Sequence, residues 1–333
     1  MSPKTYLSSG INLEAAASVK ELFKPHIRST FTPQVMGDIG AFGGLYRLNS
    51  YRNPVLVSGT DNVGTKLKLA SWLNQFDTIG HDVVNQNVND IITTGARPLF
   101  FLDYIAVDSL IPEQLESIVK GIAEACRLAG CALIGGETAQ LPNVYVPGAF
   151  DLAGFVVGAV EQDSILDGSS IEQGDTLLAL PASGLHTNGY SMVRKDFNLE
   201  RNQSPLQTHY SELGRTLGDS LLEPHRSYWP ILEPILPHIK AMAHITGGGL
   251  LDNLGRVIPA GLSARIDYNS WEPPPLFQII QKQGGISKEE MHRVFNMGVG
   301  MVIMCAPDRA NEVFRILPDT WVLGEIVPAT SKH

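Results

Sequence analysis

Short apolar runs, many of them β-branched or aromatic, alternate along this chain with longer amphipathic stretches, and several of the runs end in glycine. The spacing predicts helix over residues 14–23, 67–73, 76–94 and 112–128, and strand over 54–57, 99–107, 131–134 and 150–161. In the 112–128 segment Leu115, Ile118, Ile122, Ala125 and Ala129 fall on one side, and Gly130 follows as a C-terminal stop. A polar stretch at 162–174 then reads as a linker. Beyond it come strands at 175–180, 295–303 and 320–327, with helices from 192, over 212–222, from the glycines at 247–249 to about 257, and over 309–316. Two halves of this kind, 1–165 and 170–333, indicate an α/β (α+β) chain of two domains. No repeat, heptad run or low-complexity segment interrupts them.

The chemistry gathers where apolar runs break. Pro54-Val55-Leu56-Val57 leads into Ser58-Gly59-Thr60-Asp61-Asn62-Val63-Gly64-Thr65-Lys66, which reads either as a strand ending in a turn suited to phosphate and metal or as a hairpin with a few solvated polar residues. It is not a P-loop, because the tail is Gly64-Thr65-Lys66 rather than Gly-Lys-Ser/Thr. Asp61 is placed to hold a hard cation and Lys66 to neutralise an oxyanion. A second element of the same build, Gly135-Gly136-Glu137-Thr138-Ala139, follows the 131–134 strand. With Asp90 these supply Asp61, Asp90 and Glu137 as an oxygen-ligand set suited to Mg²⁺ bridging phosphates.

Asp82, Gln86, Asn89 and Asp90 share one face of the 76–94 helix, either a solvated face or a metal and substrate face. Asp103 is a carboxylate in the middle of an apolar strand. Gly37-Asp38-Ile39-Gly40-Ala41-Phe42-Gly43-Gly44 is too glycine-rich for a helix or central strand, and suggests a loop that folds over a ligand. Residues 181–191 place His186, Thr187 and Asn188 before a helix, as a polar-substrate site, and Gly247-Gly248-Gly249 opens another helix, either as an anion site or as a helix–sheet packing turn.

Composition narrows the partners. A net charge of -9 argues against a non-specific nucleic-acid binder, so phosphate must be handled by local loops and ions. Cys126, Cys131 and Cys305 have no metal-binding spacing and read as buried thiols of a reducing compartment. Neither a signal-type leader in residues 1–10 nor a membrane-spanning run is present, so the expectation is a cytoplasmic protein with no membrane partner.

Eight motifs in order resemble the aminoimidazole ribonucleotide synthetase (phosphoribosylformylglycinamidine cyclo-ligase) family over residues 37–327. They are the Ile39–Leu45 glycine loop, the Ser58–Lys66 turn, Val88-Asn89-Asp90, Phe100-Phe101-Leu102-Asp103-Tyr104, Gly135-Gly136-Glu137-Thr138-Ala139, His186-Thr187-Asn188-Gly189-Tyr190-Ser191, His244-Ile245-Thr246-Gly247-Gly248-Gly249 and Phe295-Asn296-Met297-Gly298-Val299-Gly300. The resemblance implies ATP-dependent closure of formylglycinamidine ribonucleotide to aminoimidazole ribonucleotide. It also implies a homodimer whose N-terminal mixed sheets form a joint barrel, and a C-terminal α/β sandwich domain. Carried onto this chain, it implies ATP contacts from Gly40, Phe42, Gly43, Gly44, Gly64, Thr65, Lys66 and Asn89. Mg²⁺ would be held by Asp61, Asp90 and Glu137, and the substrate by Thr187, Asn188, His244, Thr246, Gly247, Gly248 and Gly249. Lys66, His186 and Asp103 would take catalytic roles. Asn62 stands where the family usually has glycine, and Leu185 where it usually has proline. The same superfamily contains selenophosphate synthetase, which needs a reactive cysteine near the first glycine loop, and thiamine-monophosphate kinase; a non-catalytic ATP binder is the reading from another class.

Overall fold

The computed structural model describes residues 13–329, so the reading of residues 1–10 lies outside it. The first half runs α1 (Leu13–Arg28), β1 (Val35–Met36), β2 (Leu45–Tyr46), β3 (Pro54–Asn62), α2 (Lys66–Leu73), α3 (Asp77–Ile92), β4 (Arg97–Val107), α4 (Pro112–Ala129), β5 (Ala132–Gln140) and β6 (Phe150–Glu161). Strands β3, β6, β4 and β5 form a mixed sheet in that order, with β4 parallel to β5 and β6 antiparallel to both its neighbours.

Helices α3 and α4 cover one face of this sheet, and alternation along the strands decides which residues meet them. Phe101, Ile105, Leu152 and Val156 point in and are buried, whereas Leu56 and Phe155 point out and are exposed. The two helices come so close that a Cβ on Gly121 would lie 2.1 Å from the Asp77 carbonyl oxygen, and one on Gly80 2.4 Å from that of Ile118. Glycine at both positions lets the backbones touch.

The second half comprises β7 (Thr176–Pro181), α5 (Tyr190–Asp196), the ribbon β8 (His209–Tyr210) and β9 (Arg215–Thr216), α6 (Leu217–Leu221), α7 (Trp229–Leu232), β10 (Ala241–His244), α8 (Gly249–Leu254), β11 (Leu262–Ile266), α9 (Pro275–Gly284), α10 (Lys288–Val294), β12 (Val299–Cys305), α11 (Ala310–Ile316) and β13 (Trp321–Pro328). Its sheet is antiparallel throughout, in the order β10-β12-β7-β13-β11. Leu178, Leu180, Met301 and Ile303 face a core continuous with that of the first half, while Leu177, Ala179, Val302 and Met304 face a second, separate core.

Several boundaries differ from the sequence reading. The 131–134 strand runs on through Gly135-Gly136-Glu137-Thr138-Ala139 as β5, because these residues pair with β4, so the second glycine turn is strand. The 54–57 strand continues to Asn62, because β6 pairs with it along its whole length, through Asn62 opposite Ala153. The supposed functional turn therefore shrinks to Val63, Gly64 and Thr65. The 212–222 helix is reduced to α6, since Gly214 (φ 65°) turns the preceding residues into the β8–β9 ribbon. The strand expected from 295 begins only at Val299, after Met297 and Gly298 turn through positive φ.

Candidate active site at the seam between the halves

The polar face of α3 is closed except at Asp90, which is half exposed. Asp82, Asn85, Gln86 and Asn89 are buried, and most of their partners are backbone groups of residues 223–228 in the second half. Asn85 Nδ2 donates to the His225 carbonyl (2.6 Å) and Asn89 Nδ2 to the Arg226 carbonyl (2.8 Å). In return, His225 N–H donates to Asp82 (2.7 Å) and Tyr228 N–H to Asn89 Oδ1 (3.2 Å). Asparagine suits this task because one side chain both donates to and accepts from a passing backbone.

Lys66 belongs to the same seam. Its ammonium is fully buried, 2.8 Å from an Asp82 oxygen, and donates to the Glu223 carbonyl at 2.7 Å. Burial draws the Lys66 pKa down and pushes the Asp82 pKa up, each opposed by the partner's charge. The lysine expected to neutralise phosphate in an open turn thus sits beneath that turn as a cross-link between halves. Thr65, at the rim, touches Ser191 across the cleft (Oγ to Oγ, 3.2 Å). Gly64 turns the chain there at φ 70°. Asn62 needs no glycine conformation, being the last residue of a strand, and Leu185 is buried.

Above the seam a line of side chains runs from α3 into the second half. The Asp90 carboxylate meets His244 Nδ1 at 2.7 Å, and His244 Nε2 meets His225 Nε2 at 2.9 Å. The His225 ring stacks on His186, with centroids 3.8 Å apart. His186 holds a left-handed backbone (φ 61°), which histidine enters more readily than most residues other than glycine. Burial pushes the pKa values of His186 and His225 well down, so both rings are neutral. His225 carried no role in the sequence reading; its only signal was a lone histidine after a proline.

Next to this line lie Thr187, whose buried hydroxyl has no partner, and Asn188, whose Oδ1 would lie 3.1 Å from a Cβ on Gly247. Thr246 bonds Asn253 (3.2 Å), which also ties down the Gly249 carbonyl. Among the three glycines, Gly248 caps α8 at φ 94°. Gly249 is glycine for packing, because a Cβ there would lie 1.8 Å from the His292 carbonyl oxygen. The structure therefore brings His186, Thr187, Asn188, His244, Gly247 and Asp90 into one neighbourhood.

The carboxylates expected on a metal are arranged otherwise. Asp61 accepts a hydrogen bond from Gln86, one helical turn before Asp90 on α3, so these two acids border the same end of the cleft. Strand register puts Asp61, Gly154 and Asp103 in one row across the sheet, whereas Glu137 pairs with Tyr104 in the next row, which alternation directs to the opposite face. Among the described residues, the three acids form no group of converging ligand atoms. Asp103 is buried, and desolvation together with the Glu137 charge lifts its pKa to about 7. The glycine loop lies at the surface, with Gly40, Phe42, Gly43 and Gly44 all exposed.

Both halves match known domains. Residues 43–160 match the AIR synthase related protein N-terminal domain, and residues 172–332 the C-terminal domain of the same name. The chain belongs to the AIR synthase related family. It is 51% identical over 330 residues to the phosphoribosylformylglycinamidine cyclo-ligase of Pseudothermotoga lettingae, covering 97% of each chain. It is 48% identical to that of Desulfitobacterium hafniense and 47% identical to that of Geobacillus thermodenitrificans, in both cases covering 97% of this chain and 96% of the relative. The fold is shared with the crystal structure of thiamine-monophosphate kinase from Stenotrophomonas maltophilia (TM-score 0.67, 17% identity, 93% of this chain and 94% of that one). It is also shared with hydrogenase maturation protein HypE in complex with ATP (TM-score 0.67, 18% identity, 95% and 87%).

Proposed function

We propose that this member of the family is an ATP-dependent cyclo-ligase that converts formylglycinamidine ribonucleotide into aminoimidazole ribonucleotide, releasing ADP and phosphate. The observation that carries this is the match to cyclo-ligases at about half identity along nearly the whole of both chains. A formamide oxygen leaves poorly, so the γ-phosphoryl of ATP is first transferred to it. The neighbouring amidine nitrogen then attacks the same carbon, the five-membered ring closes, and phosphate departs. Both reacting atoms belong to one substrate, so the protein's work is positioning and charge stabilisation.

The seam supplies that work. His186, Thr187 and Asn188 orient the amidine end of the substrate, His244 held by Asp90 lies beside them, and Gly247 and Gly248 take the ribose 5′-phosphate. Gly249 is left out of that contact because its N–H already donates to the Thr246 carbonyl. Lys66 and Asn89 act one layer deeper, fixing the two halves so that these groups face each other. The loop of Gly40, Phe42, Gly43 and Gly44 closes over ATP, whose phosphates lie near Gly64 and Thr65. Asp103 supports the carboxylates from within the sheet.

Mg²⁺ fits as an ion carried largely by the nucleotide. Such ions take one or two carboxylates and complete their shell with phosphates and water, which suits Asp61 and Asp90 at the cleft and asks for no closed cage. Glu137, on the next row of the sheet, is the least suited of the three within one chain. The ion would neutralise charge on the phosphates.

A homodimer is supported by the uncovered face of the first sheet, where Leu56 and Phe155 are exposed beside half-buried Phe100, Leu102 and Tyr104. Free, buried Cys126, Cys131 and Cys305 suit the reducing cytoplasm, and among the described residues no helix is long and apolar enough to cross a membrane.

The test is ADP release from ATP and Mg²⁺ with and without formylglycinamidine ribonucleotide, followed alongside imidazole formation. Substrate-dependent ADP matched one-to-one by product is the expected result. ADP release indifferent to this substrate would overturn the assignment and favour a kinase of the same fold. Replacing Asp61 by Asn should weaken Mg²⁺-dependent turnover; unchanged turnover would remove Asp61 from the metal.

A further inference from the structure

We propose that His186, His225 and His244 form a binding site for one divalent transition-metal ion of the zinc class, separate from the oxygen-ligated Mg²⁺ of the nucleotide. One ring nitrogen from each residue lies within 4.8 Å of one from each of the others, and all three side chains are buried. Among the described residues no other group of three histidine, cysteine, aspartate or glutamate side chains converges in this way.

The geometry is close to that of a bound ion. In a tetrahedral site with metal–nitrogen bonds of about 2.0 Å, neighbouring nitrogens stand about 3.3 Å apart. His225 Nε2 and His244 Nε2 stand 2.9 Å apart, so a few tenths of an ångström admit the ion between them. His186 is stacked on His225 at 20°, and must turn about its Cβ–Cγ bond to aim a nitrogen inward. Its Nδ1 is buried with no partner, and turning it inward gives up the bond that Nε2 accepts from the Ser183 N–H at 3.3 Å.

The outer contacts are those of a metal-binding histidine. His244 gives Nδ1 to the Asp90 carboxylate at 2.7 Å, which sets its tautomer and leaves the Nε2 lone pair for a metal. His225 is in a comparable state, with Nδ1 buried and unpartnered. Two imidazoles whose Nε2 atoms face each other need a proton between them when no ion is present. On metal binding that proton moves to His225 Nδ1, and both lone pairs face the ion. Packing alone gives no reason to bury two unpaired ring nitrogens side by side. Three histidines leave a fourth position for water or a substrate atom.

The experiment titrates the chelator-treated full chain with Co²⁺ in excess Mg²⁺ and reads the visible spectrum. One equivalent of Co²⁺ giving the intense bands of a four-coordinate ion is expected. His225→Asn should abolish these bands, and Asp90→Asn should weaken binding about 10–100-fold. Only the weak bands of six-coordinate cobalt, or intense bands that survive in His225→Asn, would overturn the proposal. Because His225→Asn disturbs a buried seam, zinc X-ray absorption on the unmutated chain gives an independent reading. An imidazole-nitrogen shell of about three is expected, and an oxygen-only shell overturns the site. Failure of the cyclisation assay with the cobalt bands intact would sink the cyclo-ligase reading and leave this site standing.

Discussion

The seam and the outer face of the first sheet are built from similar strands and helices, yet they stand in opposite states. At the seam most polar groups meet partners: Lys66 meets Asp82 in its own half and the Glu223 carbonyl in the other, and Asn85 and Asn89 meet residues 225–228 across the halves. The outer face leaves Leu56 and Phe155 in solvent, with Phe42 fully exposed on the adjoining glycine loop. One region is completed by the chain itself, and the other is left uncovered within one chain, as the proposed homodimer requires. Substitutions at the seam should therefore appear as stability, and substitutions on the outer face as binding.

The largest expected effect tests the first half of that contrast. Lys66→Met leaves the Asp82 carboxylate buried and unpaired, which costs about 3–5 kcal/mol. Urea unfolding should show it as a lower midpoint. The double variant Lys66→Met/Asp82→Leu should recover much of the loss, because no charge remains to be desolvated. A single-variant loss below about 1 kcal/mol would mean that the ion pair contributes little to the seam beneath which it lies.

Next comes Asp103, which belongs to the sheet but behaves as a seam residue does. Its folded pKa of about 7 lies above the ordinary 3.8, so the folded state holds this proton more tightly than the unfolded chain. Its contribution to stability is then full below pH 4 and falls as the pH rises to about 7. Asp103→Asn removes that penalty, so unfolding at pH 8 should become harder by up to about 4 kcal/mol, with no gain near pH 4. A gain independent of pH would show that burial of the charge is not the cause. Loss of activity in the same variant would mean that the strain serves the site.

These two residues also mark where sequence reading succeeds and where it stops. Asp103 was legible, because a carboxylate flanked by Phe101, Leu102, Tyr104 and Ile105 in a strand can hardly escape burial. The 112–128 helix was legible for the same local reason, a single apolar stripe ending in glycine. Lys66 was misplaced because its partner Asp82 is sixteen residues away on another helix and its second acceptor, the Glu223 carbonyl, lies in the other half. Nothing local distinguishes a lysine under a turn from one in it. The α3 stripe had the same ambiguity, and only the approach of residues 223–228 resolved it. Strands β10 and β11 escaped notice because one is four residues long and buried throughout, the other half-buried at a sheet edge, so neither shows a clean alternation.

Phe155 tests the other side of the contrast. It pairs in register with Thr60 and Leu102 on the open face, where a second copy's sheet would cover it. Phe155→Glu should change the unfolding free energy of the isolated chain by no more than about 1 kcal/mol, since nearly half of the side chain is already in water. Sedimentation should nevertheless move from dimer to monomer. A dimer that persists would place the contact on another surface.

The smallest expected effect falls on Phe42, whose ring touches solvent on all sides between Gly40 and Gly43. An aromatic side chain in so glycine-rich a loop contributes nothing to the fold of one chain, so Phe42→Ala should leave the unfolding midpoint unchanged. If the loop closes over the nucleotide, the ring is then partly covered, at a gain of about 1.4 kcal/mol, somewhat less than complete burial of phenylalanine would give. Losing it should raise KM for ATP about tenfold. With kcat unaltered, the contact would be made equally in the ground and transition states. A fall in kcat at constant KM would instead assign the ring to excluding water during phosphoryl transfer. If neither parameter moves, the loop does not close on ATP, and Phe42 belongs with Phe155 to the surface that meets a second chain.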